Sequence, residues 1–176
     1  EENIRQTREV VKMCHAVGVS VEAELGAVGG DEGGALYGHA DESLFTDPML
    51  ARDFVDRTGI DALAVAIGNA HGKYKGEPKL DFPRLDAIRQ QAAIPLVLHG
   101  GSGISDDDFR RAIELGIHKI NFYTGMSQAA LAAVESRMAN RQSLYDEFAE
   151  LLLGIEEAIT DTVSEQMRIF GSAGQL

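Results

Sequence analysis

The sequence predicts an α/β protein in which strands and helices alternate along the chain. Four short stretches have the length of strands, and the two that precede His71 and His99 are apolar enough to be buried on both faces of a parallel sheet. Helical patterns lie between and after them, and glycines mark the turns. This alternation favours a parallel sheet covered by helices. Four such units form either a compact four-stranded sheet or half of a (β/α)8 barrel, which usually has about 250 residues.

The chain opens with a predicted helix over residues 2–15, whose apolar positions share one face and which is followed by Gly18. The first predicted strand covers residues 19–25 (VSVEAEL) and carries Glu22 and Glu24. Because side chains alternate between the two faces of a strand, both carboxylates lie on the same face.

A long glycine-rich loop follows this strand and contains Asp31 and Glu32. Loops of this length in compact domains are often functional or mobile. The second helix is predicted to begin at 46–48 (TDP), where proline occupies an early helical position, and to end at Gly59.

The next two predicted strands each lead directly to a histidine. One covers residues 61–67 (DALAVAI) and runs into the turn that contains His71. A helix over 83–91 separates it from the third strand, residues 94–98 (IPLVL), which is followed at once by His99. Both strands are continuous apolar runs, which indicates burial on both faces.

The last predicted strand covers residues 118–122 (HKINF). Before it, Ser105 is placed to cap a helix over 106–115, because its hydroxyl can accept a hydrogen bond from the first helical turn. Two further helices are predicted over 125–139 and 144–169.

The composition is that of one globular domain, which we expect to span residues 1–176. Hydrophobic residues make up 44% of the chain and charged residues 25%. The net charge of −12 disfavours nucleic-acid binding, and no apolar run reaches the ~18 residues of a membrane span. Cys14 is the only cysteine, so no internal disulfide can form, and we expect a reducing compartment, the cytoplasm.

His71 and His99 are the candidate metal ligands. Each follows an apolar strand and precedes a glycine, at the end of a parallel sheet where active sites lie. Imidazole is a common zinc ligand, and catalytic zinc takes three protein ligands. The alternative is a pair of histidines that are simply hydrogen-bonded in loops. A third ligand is not evident, because His15, His39 and His118 do not end strands.

Carboxylates supply further candidates. Glu24, near the end of its strand, could bind a metal or orient a metal ligand, and the alternative is a buried ion pair. On the glycine-rich loop, Asp31 or Glu32 could deliver an acid or base when the loop closes, and the alternative is a solvated acidic loop.

Two turns after the last two strands are candidates for binding a phosphate. Residues 100–102 (GGS) follow the third strand and residues 121–124 (NFYT) follow the fourth. In barrels of this class, such loops and an adjacent helix N-terminus form the usual phosphate site. Tyr123 could equally be an ordinary packing residue.

Five motifs resemble one known family over essentially the whole chain. They are VEAELG, the acidic GG-loop after it, AIGNAHGKY, PLVLHGGSGI and KINFYT. In this order they are similar to the C-terminal half of class II, metal-dependent ketose-bisphosphate aldolases, the fructose- and tagatose-bisphosphate members in particular. The resemblance implies a (β/α)8 TIM barrel, of which this chain supplies the C-terminal four β/α units and the C-terminal helices. The N-terminal half, with the first zinc histidine and a neighbouring aspartate, is then absent.

The resemblance also implies roles for individual residues. His71 and His99 match the second and third zinc ligands, Glu24 matches a carboxylate for a displaced or second metal, and Glu32 matches the loop residue that moves the substrate proton. A monovalent cation, Na⁺ or K⁺, near the phosphate is a family feature. The residues that match contacts to dihydroxyacetone phosphate are Gly72, Gly100, Gly101, Ser102, Asn121, Phe122, Tyr123 and Thr124.

The implied reaction is reversible cleavage of a ketose phosphate to dihydroxyacetone phosphate and an aldehyde through a zinc-stabilised enediolate. One alternative is a Schiff-base aldolase of the same fold, for which Lys119 is the candidate. Another is a non-catalytic subunit that binds sugar phosphates or assists assembly. Asn69 and Gly125 depart from residues frequent in the family, Thr and an acid. We expect a sugar-phosphate substrate, no nucleic-acid or membrane partner, and a homo-oligomer, either dimer or tetramer.

Overall fold

The computed structural model describes residues 1–30, 42–72, 76, 78–140 and 148–175. Contacts divide the chain into two compact units, Glu1–Asn121 and Phe122–Leu176. The single domain expected over residues 1–176 therefore stays a prediction.

The first unit alternates strands and helices as predicted. Its strands are β1 (Glu22–Leu25), β2 (Gly29–Gly30), β3 (Ala62–Val65), β4 (Ala70–His71), β5 (Leu96–Leu98) and β6 (Ile117–Ile120). Its helices are α1 (Glu2–His15), α2 (Pro48–Thr58), α3 (Phe82–Ala92) and α4 (Asp106–Glu114), with a 3₁₀ turn at Glu42–Leu44. Side chains cap the helix starts, since Asp47 accepts hydrogen bonds from the first turn of α2 and Ser105 accepts one from Asp108 N–H.

Four strands form one parallel sheet in the order β1-β3-β5-β6, which confirms the predicted fold class. Leu63, Leu96 and Ile117 occupy one row across neighbouring strands and are almost completely buried. This face forms part of the hydrophobic core. The residues that alternate with them point to the opposite face, which carries the candidate site.

A second, two-stranded parallel sheet was not expected from the sequence. Gly29 pairs with Ala70, and Gly30 pairs with His71. A Cβ atom on Gly30 would collide with the backbone of His71, and Gly30 has a φ of 113°, so only glycine suits this close approach. The backbone after β1 is thus held directly beside a candidate ligand.

The second unit is helical, with α5 (Thr124–Ala139), α6 (Phe148–Leu151) and α7 (Ile155–Ile169). The prediction of one helix over 144–169 is wrong, because Gly154 adopts the left-handed conformation, with a φ of 86°, between α6 and α7. Within this unit α5 packs against α7. Among the residues described, no helix is long and apolar enough to cross a membrane.

Candidate functional site

The structure brings His71 and His99 together at the carboxyl end of the sheet. Their ring centroids are 5.9 Å apart, with 39° between the ring planes. Two imidazoles bound to one tetrahedral zinc have ring centres about 5 Å apart, given Zn–N bonds of about 2.1 Å. The separation therefore fits two ligands of a single ion after a small adjustment of the side chains. Their role as ligands stays a prediction.

His99 lies between two carboxylates. Its Nε2 atom is 3.0 Å from Glu22 Oε1, and its Nδ1 atom is 3.0 Å from Glu24 Oε2. Only 18% of the His99 side chain is exposed. The hydrogen bond with Glu24 raises the pKa of His99 above its ordinary value, burial opposes this shift, and Glu22 adds to it. Two carboxylates therefore surround one imidazole, and this donor set attracts a cation.

Small residues on β3 allow this arrangement. Glu22 and Glu24 share a face of β1, as predicted, and their partners in register on β3 are Ala62 and Ala64. Because an alanine side chain is short, the two carboxylates can extend over β3 and reach His99 beyond the end of β5. The alternation of side chains along β1 and the short alanines of β3 together allow Glu22 and Glu24 to contact His99.

Lys119 on β6 reaches the same face. Its Nζ atom is 2.7 Å from Glu22 Oε2. Burial raises the pKa of Glu22, but the hydrogen bonds from Lys119 and then from His99 outweigh it, so the pKa lies below its ordinary value. Because its amine is engaged in an ion pair, this geometry disfavours Lys119 as the nucleophile of a Schiff-base aldolase.

The sequence reasoning named Asn69 only as a departure from the family and gave it no role in positioning the histidines. Its side chain is 1% exposed, and its amide donates to His99 O at 3.0 Å and to Val65 O at 3.3 Å. Its Oδ1 atom accepts from Ile67 N–H at 2.8 Å. The side chain thus ties the turn before His71 to the backbone of His99. A signal was present in the sequence, because a carboxamide in the turn after an apolar strand needs partners when it is buried.

The glycine turn after β5 is tightly packed. Gly100 has a φ of 66°, and a Cβ atom there would collide with Ala70 O. Gly101 N–H donates to Asn121 O at 3.1 Å, and Asn121 N–H donates to Leu98 O at 2.9 Å. These contacts hold the ends of β4, β5 and β6 together. The turn therefore has a fixed shape, which suits a cradle for an anion.

The remaining predicted residues are placed as follows. Gly72 has a φ of 80°, and a Cβ atom there would meet nothing within 4 Å. Ser102 lies in the turn after β5. Glu32, the predicted catalytic residue, lies outside the described residues. Phe122, Tyr123 and Thr124 belong to the second unit, where Tyr123 is 74% exposed. The functional roles of all these residues stay predictions.

The described residues do not by themselves complete the predicted metal site. Among them, no group of three or more His, Cys, Asp or Glu residues is arranged to hold a metal ion. This part of the chain provides two neighbouring imidazoles and the carboxylate of Glu24. A three-ligand zinc site therefore needs a further ligand from elsewhere.

Comparisons with known proteins identify the family of this chain. A family model for class II fructose-bisphosphate aldolase matches residues 1–175. The chain is 47% identical over 175 residues to the fructose-bisphosphate aldolase of Geobacillus stearothermophilus and 45% identical over 176 residues to YdjI of Escherichia coli strain K12. Each alignment covers 99% of this chain and 60% of the relative.

Solved structures show the same likeness. The crystal structure of the YdjI aldolase from Escherichia coli K12 matches with a TM-score of 0.81 at 42% identity, over 99% of this chain and 58% of that one. The fructose-bisphosphate aldolase of Campylobacter jejuni matches with a TM-score of 0.76 at 23% identity, over 97% and 56%, and supports the fold alone.

The matching structures are class II aldolases of the TIM-barrel family. This chain spans about 60% of the length of the curated relatives it matches. Its four parallel strands and their helices correspond to part of that barrel. The chain belongs to the class II fructose-bisphosphate aldolase family.

Proposed function

We propose that this chain contributes to a zinc-dependent aldolase that reversibly cleaves a ketose phosphate, or bisphosphate, to dihydroxyacetone phosphate and an aldehyde. The observation that carries the proposal is the 5.9 Å separation of the His71 and His99 rings at neighbouring strand ends. Family membership supports it. Because the chain spans about 60% of its relatives, the activity of the whole protein is part of the proposal.

In this proposal His71 and His99 hold Zn²⁺, and Glu24 lies beside it as a further ligand or as the ligand of a displaced metal. Zinc supplies Lewis-acid polarisation of a substrate oxygen when it is bound. The carboxylate of Glu24 adds negative charge beside the rings, which favours binding of a divalent cation, whereas the charge of Glu22 is balanced by Lys119. Asn69 keeps the two histidine-bearing turns in fixed relation, so that the imidazoles do not have to reorganise on binding.

The substrate phosphate is proposed to bind the turn after β5 and the segment after β6. Gly101 N–H already donates a hydrogen bond to Asn121 O. Gly101 therefore contributes to the phosphate site through the shape of the turn and not through its own N–H group. Gly100, Ser102 and Asn121 complete that turn, and Gly72 lines the neighbouring one. The proposed contacts from the second segment are Phe122, Tyr123 and Thr124, and a monovalent cation, Na⁺ or K⁺, is proposed near the phosphate.

Glu32 is proposed to exchange the substrate proton. The chain enters residues 31–41 from Gly30, whose backbone pairs with His71. A carboxylate delivered from this loop can accept a proton as a general base and return it as a general acid. The Glu32→Gln substitution keeps the shape of the side chain but removes the exchangeable carboxyl proton.

The experiment measures aldol cleavage by the purified protein. Fructose 1,6-bisphosphate and tagatose 1,6-bisphosphate are offered separately, and dihydroxyacetone phosphate is detected by its NADH-dependent enzymatic reduction. We expect turnover of at least one substrate, loss of turnover in EDTA, and recovery with Zn²⁺. Turnover that survives EDTA and is stopped by borohydride in the presence of substrate would instead support the Schiff-base alternative. Binding without cleavage in the zinc-loaded protein would support the non-catalytic subunit.

The proposal includes a homo-oligomer, dimer or tetramer, in the cytoplasm. The single cysteine, Cys14, agrees with a reducing compartment. Sedimentation velocity of the purified protein distinguishes these oligomers from a monomer.

A further inference from the structure

The sheet face that carries His99 also carries an ion pair that the proposed reaction does not use. Lys119 Nζ lies 2.7 Å from Glu22 Oε2. The other oxygen of that carboxylate, Oε1, lies 3.0 Å from His99 Nε2. These side chains come from β6, β1 and the end of β5, so the contacts span the full width of the four-stranded sheet.

We propose that Lys119 and Glu22 form a positioning pair that holds His99 in one tautomer and presents its Nδ1 atom to the metal. This inference rests on the proposed function, because it requires a metal ion at His71 and His99. Neither Lys119 nor Glu22 contacts the metal or the substrate. Both act through the orientation of the His99 ring.

The geometry distinguishes the roles of the two carboxylates. Glu22 is held at both oxygens, by an ammonium group and by an imidazole nitrogen, so it is not available to move onto a metal. Among the residues that the structure describes, Glu24 forms an ion pair with His99 alone, through Nδ1. A neutral imidazole donates from one nitrogen and has a lone pair on the other. When Nε2–H donates to Glu22, Nδ1 is the nitrogen left for the metal, which would take the place of the proton that Nδ1 shares with Glu24.

A β-bulge brings Lys119 to the correct face. Leu96 pairs with Ile117, but the next residue of β5, Val97, pairs with Lys119, so β6 contains one extra residue. Without that residue, Val97 would pair with His118. The bulge thus allows Ile117 to face the core while Lys119 shares the face of Val97. Bulges frequently re-aim a side chain next to an active site, and this one directs an ammonium group at Glu22.

The first test is Zn²⁺ affinity, measured by competition with a chelator on the purified protein. We expect Lys119→Met and Glu22→Ala to weaken Zn²⁺ binding about 10–100-fold, the usual effect of losing a group that orients a metal ligand. Lys119→Arg retains the positive charge and should stay within about threefold of the wild type. The matched control is Lys12→Met, which breaks a lysine–glutamate pair of the same 2.7 Å length on α1.

The second readout is the position of the ring hydrogen of His99, observed by ¹H–¹⁵N correlation NMR of the zinc-loaded protein. If the pair only stabilised the fold, the ring hydrogen of His99 could lie on either nitrogen. The proposal requires it on Nε2 in the wild type and in Lys119→Arg. We also expect this hydrogen to exchange with water at least about tenfold faster in Lys119→Met, because Glu22 is no longer held. Circular dichroism confirms that each variant is folded.

The outcomes separate this inference from the proposed function. If the wild-type protein binds no Zn²⁺ at His71 and His99, both are wrong. If it binds Zn²⁺ but Lys119→Met binds as tightly as Lys12→Met, only the positioning pair is wrong. A ring hydrogen on Nδ1 of His99 in the zinc-loaded wild type also overturns the positioning pair while leaving the metal site in place.

Discussion

The two ends of the parallel sheet use polar side chains in different ways. At the amino end, Asp61 Oδ2 accepts a hydrogen bond from Val21 N–H at 2.6 Å and lies 2.8 Å from His15 Nε2. The side chains of Asp61 and His15 are each 42% exposed. At the carboxyl end, Asn69 is almost completely buried and His99 is only 18% exposed.

The two ends therefore differ in which polar groups the fold could lose. Exposed contacts at the amino end connect α1, β1 and β3, and solvent weakens their electrostatic interaction. Buried polar groups at the carboxyl end must be fully paired, because an unpaired buried donor or acceptor is strongly unfavourable. A protein retains such groups where function requires them, and here they converge on one imidazole.

The largest expected effect is that of His99→Ala. This substitution removes a proposed ligand from the carboxyl end, and we expect turnover to fall by about 10³-fold or more, because metal polarisation contributes several kcal/mol. The fold should persist, since the ring lies at the end of β5 rather than in the core. The measurements are steady-state cleavage rate and bound zinc.

The matched control is His118→Ala. His118 is an exposed histidine on β6 whose Nδ1 atom contacts Gly116 O at 2.8 Å. We expect it to retain zinc and turnover. Equal activity in the two variants would show that the carboxyl end has no special role.

Asn69→Ala should give the next largest effect. The substitution leaves the carbonyl groups of Val65 and His99 and the N–H of Ile67 without their side-chain partner. We expect a loss of about 2–3 kcal/mol in the free energy of unfolding, together with weaker Zn²⁺ binding. Urea denaturation measures the first quantity and chelator competition the second.

Asn140→Ala is the control for that substitution. The Asn140 side chain donates to Ser136 O at 2.8 Å at the exposed end of α5. It should lose much less stability and no Zn²⁺ affinity. Comparable zinc affinity in Asn69→Ala and the wild type would contradict the role of Asn69 in spacing the histidines.

The smallest effect is expected from Asp61→Asn at the amino end, and it should depend on pH. The hydrogen bond with His15, and then that from Val21 N–H, lower the pKa of Asp61 below its ordinary value of 3.8. Because the pKa is lower in the folded state, the stabilisation is complete well above pH 3.8 and is lost as pH falls through the lowered pKa.

The measurement is the difference in unfolding free energy between the wild type and Asp61→Asn from about pH 6 to about pH 2. We expect the wild type to be the more stable protein at the upper end, with the difference shrinking at the lower end. Zinc binding should be unaltered at neutral pH. A difference that grows as pH falls would mean that the carboxylate is not the stabilised form.

The two central strands of the sheet could be predicted because parallel strands buried on both faces have to be apolar throughout. The run IPLVL became β5, and DALAVAI became β3 with its flanking residues. Strand limits were less predictable. The strand expected over 19–25 is confined to Glu22–Leu25, because the polar groups of Val21 bond to Asp61 and Ala62 around the start of β3.

One part of the candidate site, the approach of its two histidines, could be predicted from a single rule of sheet topology. Neighbouring parallel strands end at the same edge, so the positions of His71 and His99 along the chain predict that they meet. The two-residue pairing of β2 with β4 has no sequence pattern, because glycines carry no alternation of side chains. The Lys119–Glu22 contact joins residues 97 positions apart and depends on a bulge, neither of which periodicity reveals.

The most direct test of the account is anomalous diffraction at the zinc absorption edge from crystals of the purified protein grown with Zn²⁺. The account predicts a single anomalous peak about 2.1 Å from one ring nitrogen of His71 and from Nδ1 of His99. No peak at these rings, or a metal bound to only one of them, would contradict the claim that the two histidines share one ion.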